Sequence, residues 1–439
     1  MKPIAALATV CVSAVAFALP VLRISEVTAA PLRQATGSQQ VELAVADSVN
    51  ATPSIVSEGN VVAVAWGATS RDSLTDVMVA VSTDGGGTFG PPVRVNADPG
   101  GAKLTGEAPP RVVFGRTRDL TVLWTAREGS GTSIKLARSA DGGRTFAAAV
   151  PLVTGAPGSR GWPALAVDQA GNAHAIWLDH RGMASPSGQP HEHAAEAPGA
   201  RPKDSSIAAQ KSGLYYASSR SGASTAAQGR ELAKGVCYCC KTAFALRRNR
   251  LYAAWRHVYP GDLRDIAFST SFDGGRTFAP PVRVSRDGWE IDGCPDDGPA
   301  IAIDRAGAIR MVWPTVIPGT SPEGAIFYAS SPDGRTFTKR LRVPTLGSLK
   351  PSHPNLALDA RGRIVVSWDE LVNGRRIVAA RLGTVSAAGD VTFGPHEILN
   401  ERGHGVYPAI TTAGDATIVA WTAGGSDSVI NVRRITLRP

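Results

Sequence analysis

One motif recurs along this chain. STDGGGTFGPPVRV at Ser82–Val95 returns as SFDGGRTFAPPVRV at Ser271–Val284, as SADGGRTF at Ser139–Phe146, and in shortened form as SPDGRTF at Ser331–Phe337. Repetition of this kind marks a fold assembled from similar supersecondary units. Each copy follows a strand-like run such as VMVAV or IAFST and precedes another such as VRV, so the motif belongs on the turn of a β-hairpin. The residue types suit that place: Asp bonds the turn backbone, glycines accept positive φ, and the aromatic tucks beneath.

A second periodicity counts the units. Trp66, Trp124, Trp177, Trp255, Trp313, Trp368 and Trp421 each end an apolar strand such as VVAVAW, IRMVW or TIVAW. Seven such tryptophans predict seven sheets of four antiparallel strands, an all-β propeller. The seventh unit ends at LRP with three strands, while QVELAV near residue 43 precedes the first unit without a hairpin partner. Pairing that segment with the last unit closes the ring and removes an open edge. The one long interval, between Trp177 and Trp255, carries an insertion at about 183–212, rich in Ala, Pro and Gly, expected to be a flexible loop.

The S-x-D-x-G-x-T-F motif resembles the Asp box, or BNR repeat, of sialidase-like β-propellers, and the resemblance spans essentially the whole chain after its first residues. It implies the fold more strongly than an activity, because these boxes lie on the face away from the active site. Sialidases resembling this fold have six blades, which is the alternative to the seven expected here. They clamp the substrate carboxylate with three arginines, the first in a [FY]-R-I-P motif, and use a Tyr activated by Glu with an Asp acid/base. No such arginine motif occurs; LRIS at Leu22–Ser25 is the only Arg-Ile pair near the start. No catalytic residue is therefore carried over, and exo-α-sialidase or related glycan hydrolysis stands as the alternative function.

The segment MKPIAALATVCVSAVAFALPVL, followed by VTAAP, is expected to be a secretory signal over residues 1–29, since its apolar run is short and interrupted by Pro20. Residues 30–439 then form the propeller, in the periplasm or outside the cell, with no membrane span. Cys11 leaves with the signal, and four of the five cysteines remain in an oxidising compartment. The formal charge of +9 is spread along the chain without basic runs or interleaved aromatics, so a nucleic-acid partner gains no support.

Antiparallel succession puts the Asp-box turns on one face and the links between blades on the other. Those links carry Cys237, Cys239, Cys240 and Cys294, and His180, His191, His193, His257, His353 and His404 fall on the same side. Setting KTAFAL over GPAIAI superposes C-Y-C-C on C-P-D-D, so Cys239 and Cys240 correspond to Asp296 and Asp297. Equivalent positions elsewhere are Glu107, Arg160 with Trp162, His353 and Tyr407. These seven, Glu107, Arg160, Trp162, Asp296, Asp297, His353 and Tyr407, are the expected ligand-binding ring of the channel mouth, for a small ligand or glycan. A protein-interaction platform fits the fold equally.

The cysteine cluster leaves three readings open. Four thiols in an oxidising compartment can pair, with a bridge from Cys294 into the cluster stapling two blades. Alternatively Cys237, Cys239, Cys240 and Cys294, completed by His257, form a soft-metal site for Cu(I) or zinc. The remaining reading is a reactive redox pair, although the C-x-C-C order differs from the C-x-x-C of redox enzymes.

Overall fold

The computed structural model describes residues 40–155, 158–183, 205–223, 226–291, 293, 295–348 and 350–439. The expected signal over residues 1–29, most of the insertion, His191, His193 and Cys294 lie outside the described residues.

Seven four-stranded antiparallel sheets form a ring. The fifth shows the plan, with strands lettered A to D outward from the axis. Ala300–Ile303 is innermost, followed by Ile309–Ile317, Glu323–Ser331 and the short outer Leu341–Val343. The A strands of successive blades, such as Ala243–Arg247 beside Ala300–Ile303 and Pro351–Leu358 beside Gly405–Ala413, touch one another around the axis. Each sheet is covered on both faces by its neighbours, which is why B strands read as continuous apolar runs rather than alternating ones. In Ala173–Asp179 every residue is buried, and in Val61–Ser70 the first eight are.

All seven strand-B tryptophans are at most 1% exposed. A buried indole N–H is usually hydrogen-bonded, and three of the seven find their partner two residues further along the same strand, whereas those of Trp124 and Trp421 have none. Trp177 donates to Asp179 at 3.3 Å, Trp368 to Glu370 at 2.8 Å and Trp255 to Nδ1 of His257 at 3.4 Å. Residues i and i+2 share a face of a strand, so W-x-[DEH] is a packing device here.

Closure follows the expectation. Gln40–Leu43 pairs antiparallel with Val429–Ile435, with Leu43 opposite Ile430, and becomes the outer strand of the seventh blade. Leu43 is 5% exposed and joins the core between the last and first blades. Beside this seam Asn50 and Ser428 exchange backbone and side-chain hydrogen bonds.

The three full-length copies of the motif fold the same way. Ser82 Oγ donates to Asp84 at 2.7 Å and accepts Gly86 N–H at 2.8 Å, while Asp84 accepts both the N–H and hydroxyl of Thr88. Ser139, Asp141 and Thr145 repeat this pattern, as do Ser271, Asp273 and Thr277. In the shortened copy Asp333 instead accepts Arg335 N–H at 2.9 Å.

One expectation changes. The end of the insertion, read as loop, folds as a short helix at Ser205–Gln210 whose Ala209 is buried against Cys237, Cys239, Cys240 and Val258. Apolar cover for the cysteines rewards ordering that part of the insertion.

Candidate functional site at the channel mouth

The A strands of four blades begin with an unusual bend. Thr52, Trp162, His353 and Tyr407 have φ of 58°, 50°, 54° and 54°, each immediately precedes a proline, and each sits where the A–B register shifts. A left-handed conformation at a non-glycine residue costs on the order of 1–2 kcal/mol, so four of them in one ring are maintained by the surrounding structure. Asp296, with φ 45°, occupies the corresponding link of the fifth blade. Thr52 was missed by the sequence reading; its signal was the shared X-Pro step.

Side chains from these links meet across the axis. Lys241, of the fourth blade, donates to Glu107 Oε1 of the second at 3.0 Å and to the Pro354 carbonyl of the sixth at 2.9 Å. Glu107 Oε2 accepts Gly298 N–H of the fifth blade at 2.9 Å. Glu107 and Lys241 are 4% and 5% exposed, so each buried charge has its counterion and further hydrogen bonds, the condition for tolerating such a pair. Tyr407, of the seventh blade, lies over Gly106 so closely that a Cβ there would collide with its ring and hydroxyl. Its ring centroid is 4.4 Å from that of His353.

The electrostatics follow from this crowding. Burial alone would lower the His353 pKa, but the Asp369 carboxylate bonded to Nδ1 at 2.6 Å, with Asp297 and Glu107 nearby, raises it to about 9. Asp369 also accepts Tyr407 N–H at 3.0 Å and pairs with Arg376. Asp297 accepts His353 N–H at 3.0 Å through Oδ2, while its buried Oδ1 has no protein partner. Desolvation, then Glu107, push the Asp297 carboxyl up. Asp296 keeps contact with solvent, yet partial desolvation and Glu107 raise it to about 6. Tyr407 is pushed up to about 12, by burial first and then by Asp296 and Glu107.

The sulfur cluster adjoins this network. Cys237 N–H donates to the Arg256 carbonyl at 2.9 Å, fixing the link along the edge of strand Arg250–Tyr259. One sulfur atom from each of Cys237, Cys239 and Cys240 lies within 4.8 Å of the others, and all three residues are buried. Cys240 Sγ donates to Cys237 Sγ at 3.3 Å, and Cys239 Sγ lies 3.9 Å from Cys237 Sγ. Arg264 Nη1 stands 3.7 Å from Cys237 Sγ. The Cys240 hydrogen bond, with Arg264 and Arg256 behind it, lowers the Cys237 pKa against the effect of burial, whereas burial and Cys237 raise that of Cys240. The Asp297 N–H bonds Cys240, joining the sulfurs to the carboxylates. Cys237 and Cys240 are free thiols, whereas Cys239 is disulfide-bonded.

Several expected members take other roles. His257 lies outside the sulfur group; its Nδ1 faces the Trp255 indole, its ring meets Tyr259 at 4.5 Å, and burial lowers its pKa to about 4. Arg160 is 5% exposed and pairs with buried Asp179 at 3.3 Å, so its guanidinium belongs to the wall. Trp162 packs against the sulfur cluster and lies 5.8 Å from the His180 ring, which approaches Tyr238 edge-on. Arg256 donates to the carbonyls of Asp297, Arg264 and Pro314. Asp265 pairs with Arg283. The sequence reading also missed that Cys237 and Cys240 stand three apart, the C-x-x-C interval contained within C-x-C-C.

The molecule is thus a seven-bladed β-propeller with a charged, strained channel mouth beside a buried sulfur cluster. No protein-family model matches the chain, and a search of curated proteins gives no match. Solved structures do match. A protein of unknown function from Dyadobacter fermentans is 14% identical with a TM-score of 0.53, covering 92% of this chain and 100% of that one. A polysaccharide lyase, an ulvan lyase bound to -[GlcA(1-4)Rha3S]-, is 11% identical with a TM-score of 0.57, covering 90% and 95%. An α-L-arabinanase of Penicillium chrysogenum, complexed with arabinobiose, is 13% identical with a TM-score of 0.50, covering 92% and 99%. At these identities the likeness is one of fold, and the resemblance to sialidase-like propellers holds at that level.

Proposed function

We propose that this protein is a secreted or periplasmic propeller that binds a ligand on its channel face, with a soft metal ion, Cu(I) or zinc, held by the sulfur cluster once Cys239 is reduced. The observation that carries this reading is the convergence of three buried cysteine sulfurs within 4.8 Å of one another. Soft thiolates select Cu(I) and zinc over hard cations. The charge also balances: three thiolates around Cu(I) leave two negative charges, and Arg264 and Arg256 supply two buried guanidiniums. Competition against a coloured Cu(I) chelator, with fully reduced protein under anaerobic conditions, tests it. About one equivalent bound by the wild type and none by Cys240→Ser is expected; no binding by the reduced wild type refutes it.

A second reading places a glycan or other polyhydroxylated ligand above the sulfurs. Asp297 Oδ1 favours it, since a buried carboxylate oxygen without a donor accepts a ligand hydroxyl. The glycan-acting propellers of similar fold support this class of ligand. Calorimetric titration with a panel of neutral and uronate oligosaccharides tests it: heat lost in Asp297→Asn is the expected result, and no heat with any of them refutes it.

Ordinary sialidase activity is expected to be absent. Arg160 and Arg256 are engaged by Asp179 and by backbone carbonyls, and Tyr407 is held as a phenol by burial and the carboxylates around it, the reverse of an activated nucleophile. Release of the fluorophore from an aryl sialoside by pure protein would overturn this.

A further inference from the structure

Both readings of the channel mouth concern one end of the axis. At the other end, the A strands of the fourth to seventh blades finish around a cavity of about 310 Å³ whose wall includes Arg247, Asp304, Arg305, Asp359, Thr412 and Gly414. Lys241 precedes strand Ala243–Arg247 and Arg247 ends it, so this cavity lies a five-residue strand, about 16 Å at about 3.3 Å per residue, from the Lys241–Glu107 bridge. Positive charge is spread along the sequence, but the ring gathers it here. RRNR, Arg247–Arg250, is the turn between the two inner strands of the fourth blade. Arg276 stands on that blade's copy of the repeated motif, and Arg305 on the corresponding inner turn of the fifth.

Three contacts join these arginines into one surface. Arg247 Nη2 donates to the Arg305 carbonyl, the Asn249 carbonyl accepts Gly274 N–H at 3.1 Å, and the Arg250 guanidinium lies 5.2 Å over the Phe272 ring. The carboxylates nearby are already engaged: Asp304 pairs with Arg310, Asp359 pairs with Arg363, and Asp273 accepts the hydroxyls of Ser271 and Thr277. Among the described residues, none of Arg247, Arg248, Arg250, Arg276 and Arg305 has a carboxylate at ion-pair distance. Arg248 is strained as well, with φ of 55°. The two-residue turns of the first and seventh blades, closed by Glu58 opposite Val61 and Ala413 opposite Ala416, carry Gly59 and Gly414 at the same position, with φ of 59° and 62°. Arginine there bears a steric cost that glycine avoids, and strain maintained by the surrounding structure points to a functional position.

We propose that this face carries a second binding site, for a polyanionic polysaccharide, with one sulfate or carboxylate group seated in the cavity beside Arg247 and Arg305 and neighbouring groups of the same polymer on Arg248, Arg250 and Arg276. Guanidinium forks match the paired oxygens of such groups. The Arg247 fork is already held by the Arg305 carbonyl, so less side-chain freedom is lost on binding. The shape of the site selects the partner. A recess admits an anionic group projecting from a polymer, whereas a lipid surface presents a plane and is bound through an apolar face; Phe272, 49% exposed, is the one large hydrophobic side chain exposed on these turns.

The test follows fluorescent dextran sulfate by anisotropy, with neutral dextran as the control, and sets variants at this end of the axis against Asp297→Asn at the other, so its outcome is separate from either reading of the mouth. At about 50 mM salt the wild type is expected to bind dextran sulfate and not dextran, with affinity falling as salt rises. Arg305→Gln keeps the backbone carbonyl that Arg247 uses and should weaken binding about tenfold, the loss of one charge-assisted contact. Arg248→Gly should weaken binding while Tm stays level or rises, because charge and strain leave together. Arg144→Gln, on the second blade's copy of the motif, and Asp297→Asn should both bind within about twofold of the wild type. A wild type that ignores dextran sulfate overturns the proposal, and sedimentation with phosphatidylglycerol vesicles in that case would assign the surface to lipid. An Arg144→Gln loss equal to that of Arg305→Gln overturns it by showing unlocalised charge attraction, and a loss in Asp297→Asn overturns it by moving the site to the mouth. The wild-type measurement needs no variant to fold, and Arg248→Gly tests the site with a substitution expected to relieve the fold.

Discussion

The His353 imidazolium offers the sharpest quantitative test of the channel mouth. Its side chain is 12% exposed, it bonds the fully buried Asp369, and its pKa is raised from 6.5 to about 9. The difference between the two values corresponds to roughly 3 kcal/mol at about 1.36 kcal/mol per pH unit. Because the folded state holds the proton more tightly than the unfolded chain, this stability is fully present below pH 6.5. It declines through the window from 6.5 to 9 and is absent above it. His353→Asn is the appropriate perturbation, since asparagine tolerates the left-handed backbone at this position and keeps the N–H that Asp297 accepts. Asp369 retains Arg376 and the Tyr407 N–H in the variant. Guanidinium unfolding of both proteins from pH 6 to pH 10 should show the wild type more stable by about 3 kcal/mol at pH 6, with the gap shrinking by about 1.4 kcal/mol per pH unit above 6.5. With an unfolding entropy of about 2.1 cal/mol/K per residue over ~400 residues, the same gap is about 4 °C in Tm. A gap that is the same at pH 6 and pH 10 would show that the ring contributes packing alone, and the argument for a buried imidazolium would fail.

Two further predictions concern the scaffold. Deleting Gln40–Leu43 uncovers the edge of Val429–Ile435 and exposes the core around Leu43, so the product should elute as aggregates and lose hydrogen-exchange protection first in the seventh blade; a monodisperse variant with wild-type protection there would contradict the closure argument. Gly275→Ala places a methyl against the Tyr216 hydroxyl at a φ of 88°, combining left-handed strain with overpacking, and a loss of about 2–4 kcal/mol is expected in denaturant melts. A change below about 0.5 kcal/mol would mean that the turn can move away from the third blade.

Much of this protein is written locally. The turn at Ser82–Thr88 closes its hydrogen bonds within seven residues, so any copy of the motif reveals its own structure wherever it stands. The tryptophans mark strand B because each fills the space between sheets that are covered on both faces, and an orphan strand at one end of the chain with an incomplete sheet at the other implies closure. The links between blades were also legible as a set, which is why Glu107, Trp162, Asp297, His353 and Tyr407 were grouped before their contacts were known.

Which members of that set touch was decided by the ring alone. Glu107 and Lys241 are separated by 134 residues and by an intervening blade, and Tyr407 reaches Gly106 from the far end of the chain. The rotation from blade to blade carries them across the axis, and no local pattern encodes that rotation. His257 was read as a metal ligand because its residue type suits metals, but its strand register gives it to Trp255. The cysteines show the same division at the shortest range. Their crowding was evident from the sequence, while the backbone path through Gly235–Cys240, with Arg256 and Arg264 buried behind it, decided that Cys237 and Cys240 would face each other as thiols and that Cys239 would be bridged. Side-chain direction in an irregular link depends on what the neighbouring blades leave room for, and that space exists only once the ring has closed.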